Sequence, residues 1–346
     1  MARQAVILHV SAYCPRISIA VALSVVVFTT RPLTRAAEHA TLVSPLAYTG
    51  MADASAAVAV SSNLFLVADD EENILRLYRT DRGGPPVQEF DMNTFLEVHG
   101  KSKEADLEGA ARLGDRAFWI GSHGRNKNGK ERENRCRLFA TDISISGGTV
   151  SVVPVGRPYR RLLEDLAADS RFDRFRLAEA EQLAPKEQEA MNIEGLAATV
   201  EGHLLVGFRN PNPEGKALLI PLLNPNEVIE GQVGRFGPAM LLGLGGLGIR
   251  DLAFYAGQYL IIAGPYHGGG PFRFYLWSGN AAEEPQRIKT EYLGTFHPEA
   301  VIVYPESGLK KFQILSDDGK RKPEGISNRI LSDPYKTFRS LWMKRS

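Results

Sequence analysis

The sequence predicts an all-β fold, a five-bladed β-propeller with a small helical insertion between blades 2 and 3. Three observations predict it. A short string, an oxygen-bearing residue followed by a small residue and an apolar run, recurs five times. Each copy leads through a turn into a second apolar run, and four of the five lead on into a third. These runs are four or five residues long, rich in β-branched and aromatic residues, and bounded by Gly, Pro and Asn, which is the grammar of strands. The copies recur at periods near 50 residues over most of the chain, which is the spacing of propeller blades.

The clearest copy is Met191-Asn192-Ile193-Glu194-Gly195-Leu196-Ala197. The others centre on Ser55, Glu108, Asp251 and Glu299, spaced by 53, 86, 57 and 48 residues with 47 left after the last. The second runs are Leu64–Ala68, Phe118–Ser122, Leu204–Phe208, Leu260–Gly264 and Phe312–Ser316. Residues 40–48 form an apolar run placed to supply the strand that closes the ring with the C-terminus. The long interval holds an insertion, 157–190, which is charged and rich in Leu and Ala. Leu162, Leu163 and Leu166 share one helical face and Leu177, Ala180 and Leu183 another, so two short helices are expected there, as decoration or as a lid.

Residues 1–39 read as a signal peptide or N-terminal anchor, with Arg3 and Arg16 ahead of the apolar run Ile17–Phe28. That run is short for a membrane span and suits a signal core. The expected mature protein is exported, periplasmic or extracellular, with residues 40–346 as a single domain. Cys14 lies in the signal and Cys136 in an apolar run, so no disulfide is expected and Cys136 reads as a core residue. The formal charge of +1 gives no global case for nucleic acid, and a monomer with no stable membrane span after processing is expected.

In a propeller the innermost strands converge, so Ser55, Glu108, Glu194, Asp251 and Glu299 are the candidate metal ligands. At about 6 Å and an effective dielectric of about 20, each like-charged pair costs roughly 3 kcal/mol. Such a ring holds protons or a cation, and oxygen ligands of this kind favour Ca²⁺. Alternatively the acids pair with Arg112 and Arg250 or line a wet tunnel. Small residues follow four of the five, but Leu252 follows Asp251, so the fourth blade stands apart.

The loops on the same rim are basic and amide-rich, and His123, Arg125, Arg209, Asn210 and His267 are the candidate substrate contacts, for an anionic, phosphorylated small molecule. Asp69-Asp70-Glu71-Glu72 runs against that trend, either repelling substrate or binding a second cation. Gly243–Gly248 fits a dinucleotide glycine pattern, but strand rather than helix follows, so it reads as a linker between blades. No catalytic base is assignable.

Asp106-Leu107-Glu108-Gly109, Ser122-His123-Gly124-Arg125, Asn192–Ala197, Gly207–Pro211 and Ser316–Gly319 resemble the bacterial family catalogued as domain of unknown function 3616, over roughly residues 50–320. The resemblance implies a propeller. More distantly the chain is similar to apyrase-type calcium-activated nucleotidases, which implies calcium held by Ser and Glu from the innermost strands, with Asp251 standing where they have Ser. Esterase-like phytase propellers also carry Asp-x-Glu-Gly. The leading expectation is a calcium-dependent phosphoester or anhydride hydrolase; the alternative is a non-catalytic binding propeller with a structural cation.

Overall fold

In the computed structural model, which describes residues 39–43, 45–267 and 269–346, two short strands, β1 (His39–Leu42) and β2 (Leu46–Thr49), precede the repeats. The first group is β3 (Ala54–Ser61), β4 (Leu64–Asp69), β5 (Ile74–Arg79) and β6 (Gln88–Asp91). The second is β7 (Leu107–Leu113), β8 (Arg116–Gly121), β9 (Leu138–Ser146) and β10 (Thr149–Tyr159). β11 (Asn192–Ala198), β12 (Leu204–Asn210), β13 (Ala217–Leu222) and β14 (Met240–Leu242) form the third. β15 (Gly248–Tyr255), β16 (Gln258–Gly264), β17 (Arg273–Trp277) and β18 (Gln286–Thr290) follow, then β19 (Pro298–Val303), β20 (Lys311–Ser316) and β21 (Thr337–Arg345).

The first three groups are separate four-stranded antiparallel sheets. The rest join in a nine-stranded sheet of order β15-β16-β17-β18-β1-β21-β20-β19, with β2 also on β21. The junction is a parallel pairing of β1 with β18, so the N-terminal strands meet the C-terminal strand β21. The first strands touch in turn, β3 to β7, β7 to β11, β11 to β15, β15 to β19, and β19 back to β3. The result is an all-β, propeller-like arrangement. The segment expected to be a signal or anchor lies outside the described residues except for His39, and no helix among the described residues is long and apolar enough to cross a membrane.

Both faces of the second strands are covered by neighbouring sheets, which is why Phe118-Trp119-Ile120 and Leu260-Ile261-Ile262 are apolar at every position rather than alternately. All six are fully buried. Aromatic residues fill the layers between sheets: Tyr48, Phe65, Tyr78 and Phe338 stack or meet edge-on with centroids 5.0 to 5.8 Å apart. The 157–190 segment contains a helix Leu162–Ala167, a 3₁₀ stretch Ser170–Phe175 and a short helix Leu177–Ala180. Its Leu162, Leu166, Phe172 and Leu177 pack into one apolar cluster with Phe118, Ile193 and Phe208 of the sheets.

Crowding at the centre accounts for the small residues. A Cβ on Gly195 would lie 2.5 Å from Leu252, and one on Gly248 would lie 1.8 Å from the main-chain oxygen of Arg209. A carbonyl cannot swing aside as a side-chain tip can. Gly248→Ala is therefore expected to destabilise the fold by about 1–3 kcal/mol, read as a lowered urea midpoint at unchanged slope.

Candidate functional site

Every innermost strand breaks register near its start. Ala54 pairs with Asp69 and Ala56 with Ala68, leaving Ser55 without a partner. In the same way Glu108 stands between Leu107 and Gly109, Glu194 between Ile193 and Gly195, and Glu299 between Pro298 and Ala300. A bulge of this kind bends the strand and re-aims one side chain, and it recurs beside functional sites. In the fourth strand the skipped residue is Arg250, between Ile249 and Asp251.

The structural column is thus Ser55, Glu108, Glu194, Arg250 and Glu299, and the sequence alignment is corrected by one residue in the fourth copy. The alignment chose Asp251 for its carboxylate, but register is fixed by the ladder. Asp251 falls where the other strands have Ala56, Gly109, Gly195 and Ala300. Its two oxygens accept the N–H groups of Leu252 at 2.8 Å and of Val301, on the next strand, at 2.7 Å. Burial raises it well above the usual carboxylate range, against those bonds.

Arg250 changes the electrostatics of the hub. Its guanidinium bonds to Glu299 and lies 2.9 Å from Glu194 Oε2. Arg209 pairs with the other oxygen of Glu194, and Asn192 donates to it at 2.6 Å. Burial pushes Glu299 up to about 8 despite the pull of Arg250. The Ser55 hydroxyl donates to the carbonyl of Leu107, with that of Ala68 also within reach at 3.3 Å. Arg112 makes no contact with these acids and binds the carbonyls of Ala59 and Gly114. Glu108 differs from its neighbours: burial, then Glu194, Asp106 and Glu299, hold it well above the usual range, and it forms no ion pair among the described residues.

Among the described residues, Glu108 is the one of the five expected ligands that belongs to a group of acids whose oxygens converge. Asp70, Asp106 and Glu108 bring ligand atoms within 4.8 Å of one another, and so do Asp53, Asp69 and Asp70. Asp70 is common to both. Its Oδ1 is buried and has no partner, and burial followed by Asp53, Glu108 and Asp69 raises its pKa well above the ordinary value. Burial lifts Asp53 to about 7 and Asp69 to about 6. Arg135 sits 2.7 Å from Asp106, and Arg329 pairs with Asp53 and Glu71. A buried acidic cluster of this composition can hold a metal ion, with hard oxygen ligands suited to a hard cation.

Four of these acids escaped the sequence reading of the hub, although signals existed. Asp53 and Asp106 both stand two residues before the bulged position, and Asp69 closes the strand that pairs with Ala54. Asp70 lies in the acidic loop that ran against the basic trend of the rim.

The expected substrate contacts are largely engaged within the protein. Arg125 donates to the carbonyls of Glu181 at 2.7 Å and Gly129 at 3.2 Å, tying its loop to the insertion. Arg209 also donates to Pro185 O, and Asn210 to Pro185 O and Glu187 O, so both anchor the end of that insertion. His267 is exposed. His123 is buried, with Nδ1 2.8 Å from the carbonyl of Gly121. That oxygen can only accept, so Nδ1 carries the proton and Nε2 is left as an acceptor.

Burial, aided by Arg137, pushes His123 down to about 4, while an unfolded imidazole titrates near about 6.5. Between those values the unfolded chain binds the extra proton. The contribution is complete above the unfolded value and is lost as pH falls toward the folded one, by up to about 3 kcal/mol. His123→Phe is expected to remove this part of the acid slope in urea unfolding measured across that window; an unchanged slope would count against it.

Among solved structures the fold is similar to glutaminyl cyclase of Myxococcus xanthus, at 12% identity and a TM-score of 0.47 over 89% of this chain and 98% of that one. It is also similar to PQQ-bound aldose sugar dehydrogenase of Streptomyces coelicolor, at 12% identity and 0.44 over 90% and 99%. PhoX of Pseudomonas fluorescens in complex with vanadate aligns at 12% identity and 0.37 over 87% and 74%. No curated protein matches the sequence. A family model described as a protein of unknown function, DUF3616, matches residues 53–144 and 149–326, and the chain belongs to that family.

Proposed function

We propose that the chain is an exported five-bladed propeller that hydrolyses a phosphorylated small molecule at a calcium ion held by Asp70, Asp106 and Glu108. The count of five takes β15–β18 as one blade and β19, β20, β21 and β1 as another. The observation that carries the reading is the convergence of those three carboxylates, with Asp70 Oδ1 buried and unpartnered. In this reading Glu108 keeps the ligand role expected of the column. Ser55 and Asp251 brace the backbone, and Arg250, held by Glu194 and Glu299, lends positive charge beside Glu108. A bound cation would polarise a phosphoryl oxygen and offset developing charge.

The second reading is a binding propeller whose cation is structural. Arg135 and Arg329 already offset part of the acidic charge, which favours a site built for stability. Calcium titration by calorimetry, together with phosphate release from p-nitrophenyl phosphate, a nucleoside diphosphate and phytate, with calcium or chelator, separates the two. Calcium binding with calcium-dependent release from one of them supports the hydrolase. Binding without release supports the second reading, and absence of calcium binding ends both.

A further inference from the structure

We infer that a second binding site lies between the loop after β8 and the helical insertion, and that it takes a small, uncharged, polyhydroxylated molecule. The space there is a cavity of about 520 Å³ bordered by His123, Glu131, Cys136, Leu163, Leu177 and Glu181. That volume is in the range of small-molecule sites. None of the acids proposed to hold the cation borders it.

The chemistry of the walls selects the ligand. The donors are largely engaged: Arg125 on Glu181 O and Gly129 O, Arg137 on Leu96 O and Glu133 O, Arg160 on Glu97, and Arg132 Nη1 on Glu131 O, which leaves Arg132 Nε as a buried donor without a partner. The acceptors are open. His123 Nε2 is buried without a partner, and among the described residues no side chain or main-chain group donates to the carboxylates of Glu131 or Glu181. Burial raises Glu181 above the ordinary carboxylate range. A cavity with several unused acceptors and one unused donor is complementary to hydroxyl groups, which donate and accept at the same atom.

Charge and shape narrow the class. The lining sets four arginines against four glutamates, so a net charge on the ligand gains little. A phosphate is disfavoured, because its oxygens would face the His123 lone pair and two carboxylates. Leu163, Ala167, Leu177 and Ala178 form an apolar wall that fits the C–H face of a sugar-like ring, while the acceptors meet its hydroxyls.

Saturation-transfer NMR on the full chain with glucose, xylose and mannitol tests the assignment. The expected result is transfer to at least one of the three, unchanged by inorganic phosphate. His123→Phe should weaken binding about tenfold, the loss of one hydrogen bond to a buried acceptor. Because a core substitution can impair folding, two surface variants accompany it. Glu131 and Ala178 are exposed; Glu131→Ala should weaken binding and Ala178→Trp should block it by filling the mouth. No transfer to any of the three, transfer indifferent to all three variants, or displacement by inorganic phosphate would overturn the proposal.

Discussion

Arg250→Met is expected to destabilise the protein by about 3–5 kcal/mol, because it leaves buried carboxylate without its counter-charge. Arg250, Glu194 and Glu299 have side chains 10%, 1% and 9% exposed, so water cannot take over the lost role. Burial opposes the charge on Arg250, and Glu194, Glu299 and Glu108 more than offset it, raising its pKa. Glu194 keeps Arg209 after the substitution, so the loss is concentrated on Glu299. The double variant Arg250→Met/Glu299→Leu should then recover about 2–3 kcal/mol relative to the single one, as expected when one partner of a buried pair is removed and the other follows. Urea midpoints of the wild type, both singles and the double measure this. A double variant no more stable than Arg250→Met would show that the arginine is held for packing and not for charge. Arg250→Lys keeps the charge but cannot reach two carboxylates with one planar fork, so it should fall between.

Glu108→Gln and Asp70→Asn are expected to act in opposite directions with and without calcium. In the cation-free protein each removes a member of a set of mutually repelling, buried acids, and stability should rise by about 1–2 kcal/mol. In calcium at a hundredfold excess over Kd, the wild type should gain about 2.7 kcal/mol from binding the folded state alone, and the variants should lose most of that gain. Thermal unfolding with calcium and with chelator reads both signs in one experiment. Variants less stable than wild type in chelator would mean that these carboxylates serve the fold through contacts, and a calcium shift preserved in both would place the ion elsewhere.

Much of the fold was legible because burial on both faces of a strand imposes continuous apolar runs, as in Phe118–Ile120 and Leu260–Ile262, and because the repeat period is a property of the chain. The nearness of Glu108, Glu194 and Glu299 was legible too, since equivalent positions of converging strands must approach one another. Each of these three raises or shares the charge environment of another. What escaped was the identity of the fourth member. A bulge leaves no residue signature when its flanks read Ile249-Arg250-Asp251, and two polar residues side by side offer two registers, which only the pairing of Ile249 with Ala263 and Asp251 with Ile262 distinguishes. The same limit hid Asp70 and Asp106, which come together across two different sheets.

The sequence by itself determined the strands, their recurrence and the type of group each innermost strand would deliver to the centre, because local periodicity and repetition are written along one dimension. The tertiary structure alone decided that Arg250 stands among the glutamates, that Glu108 turns to Asp70 and Asp106, and that Arg125, Arg209 and Asn210 anchor the insertion. Those outcomes depend on ladder register and on distances between groups far apart in the chain, and a one-residue shift of register exchanges a carboxylate for a guanidinium at the hub.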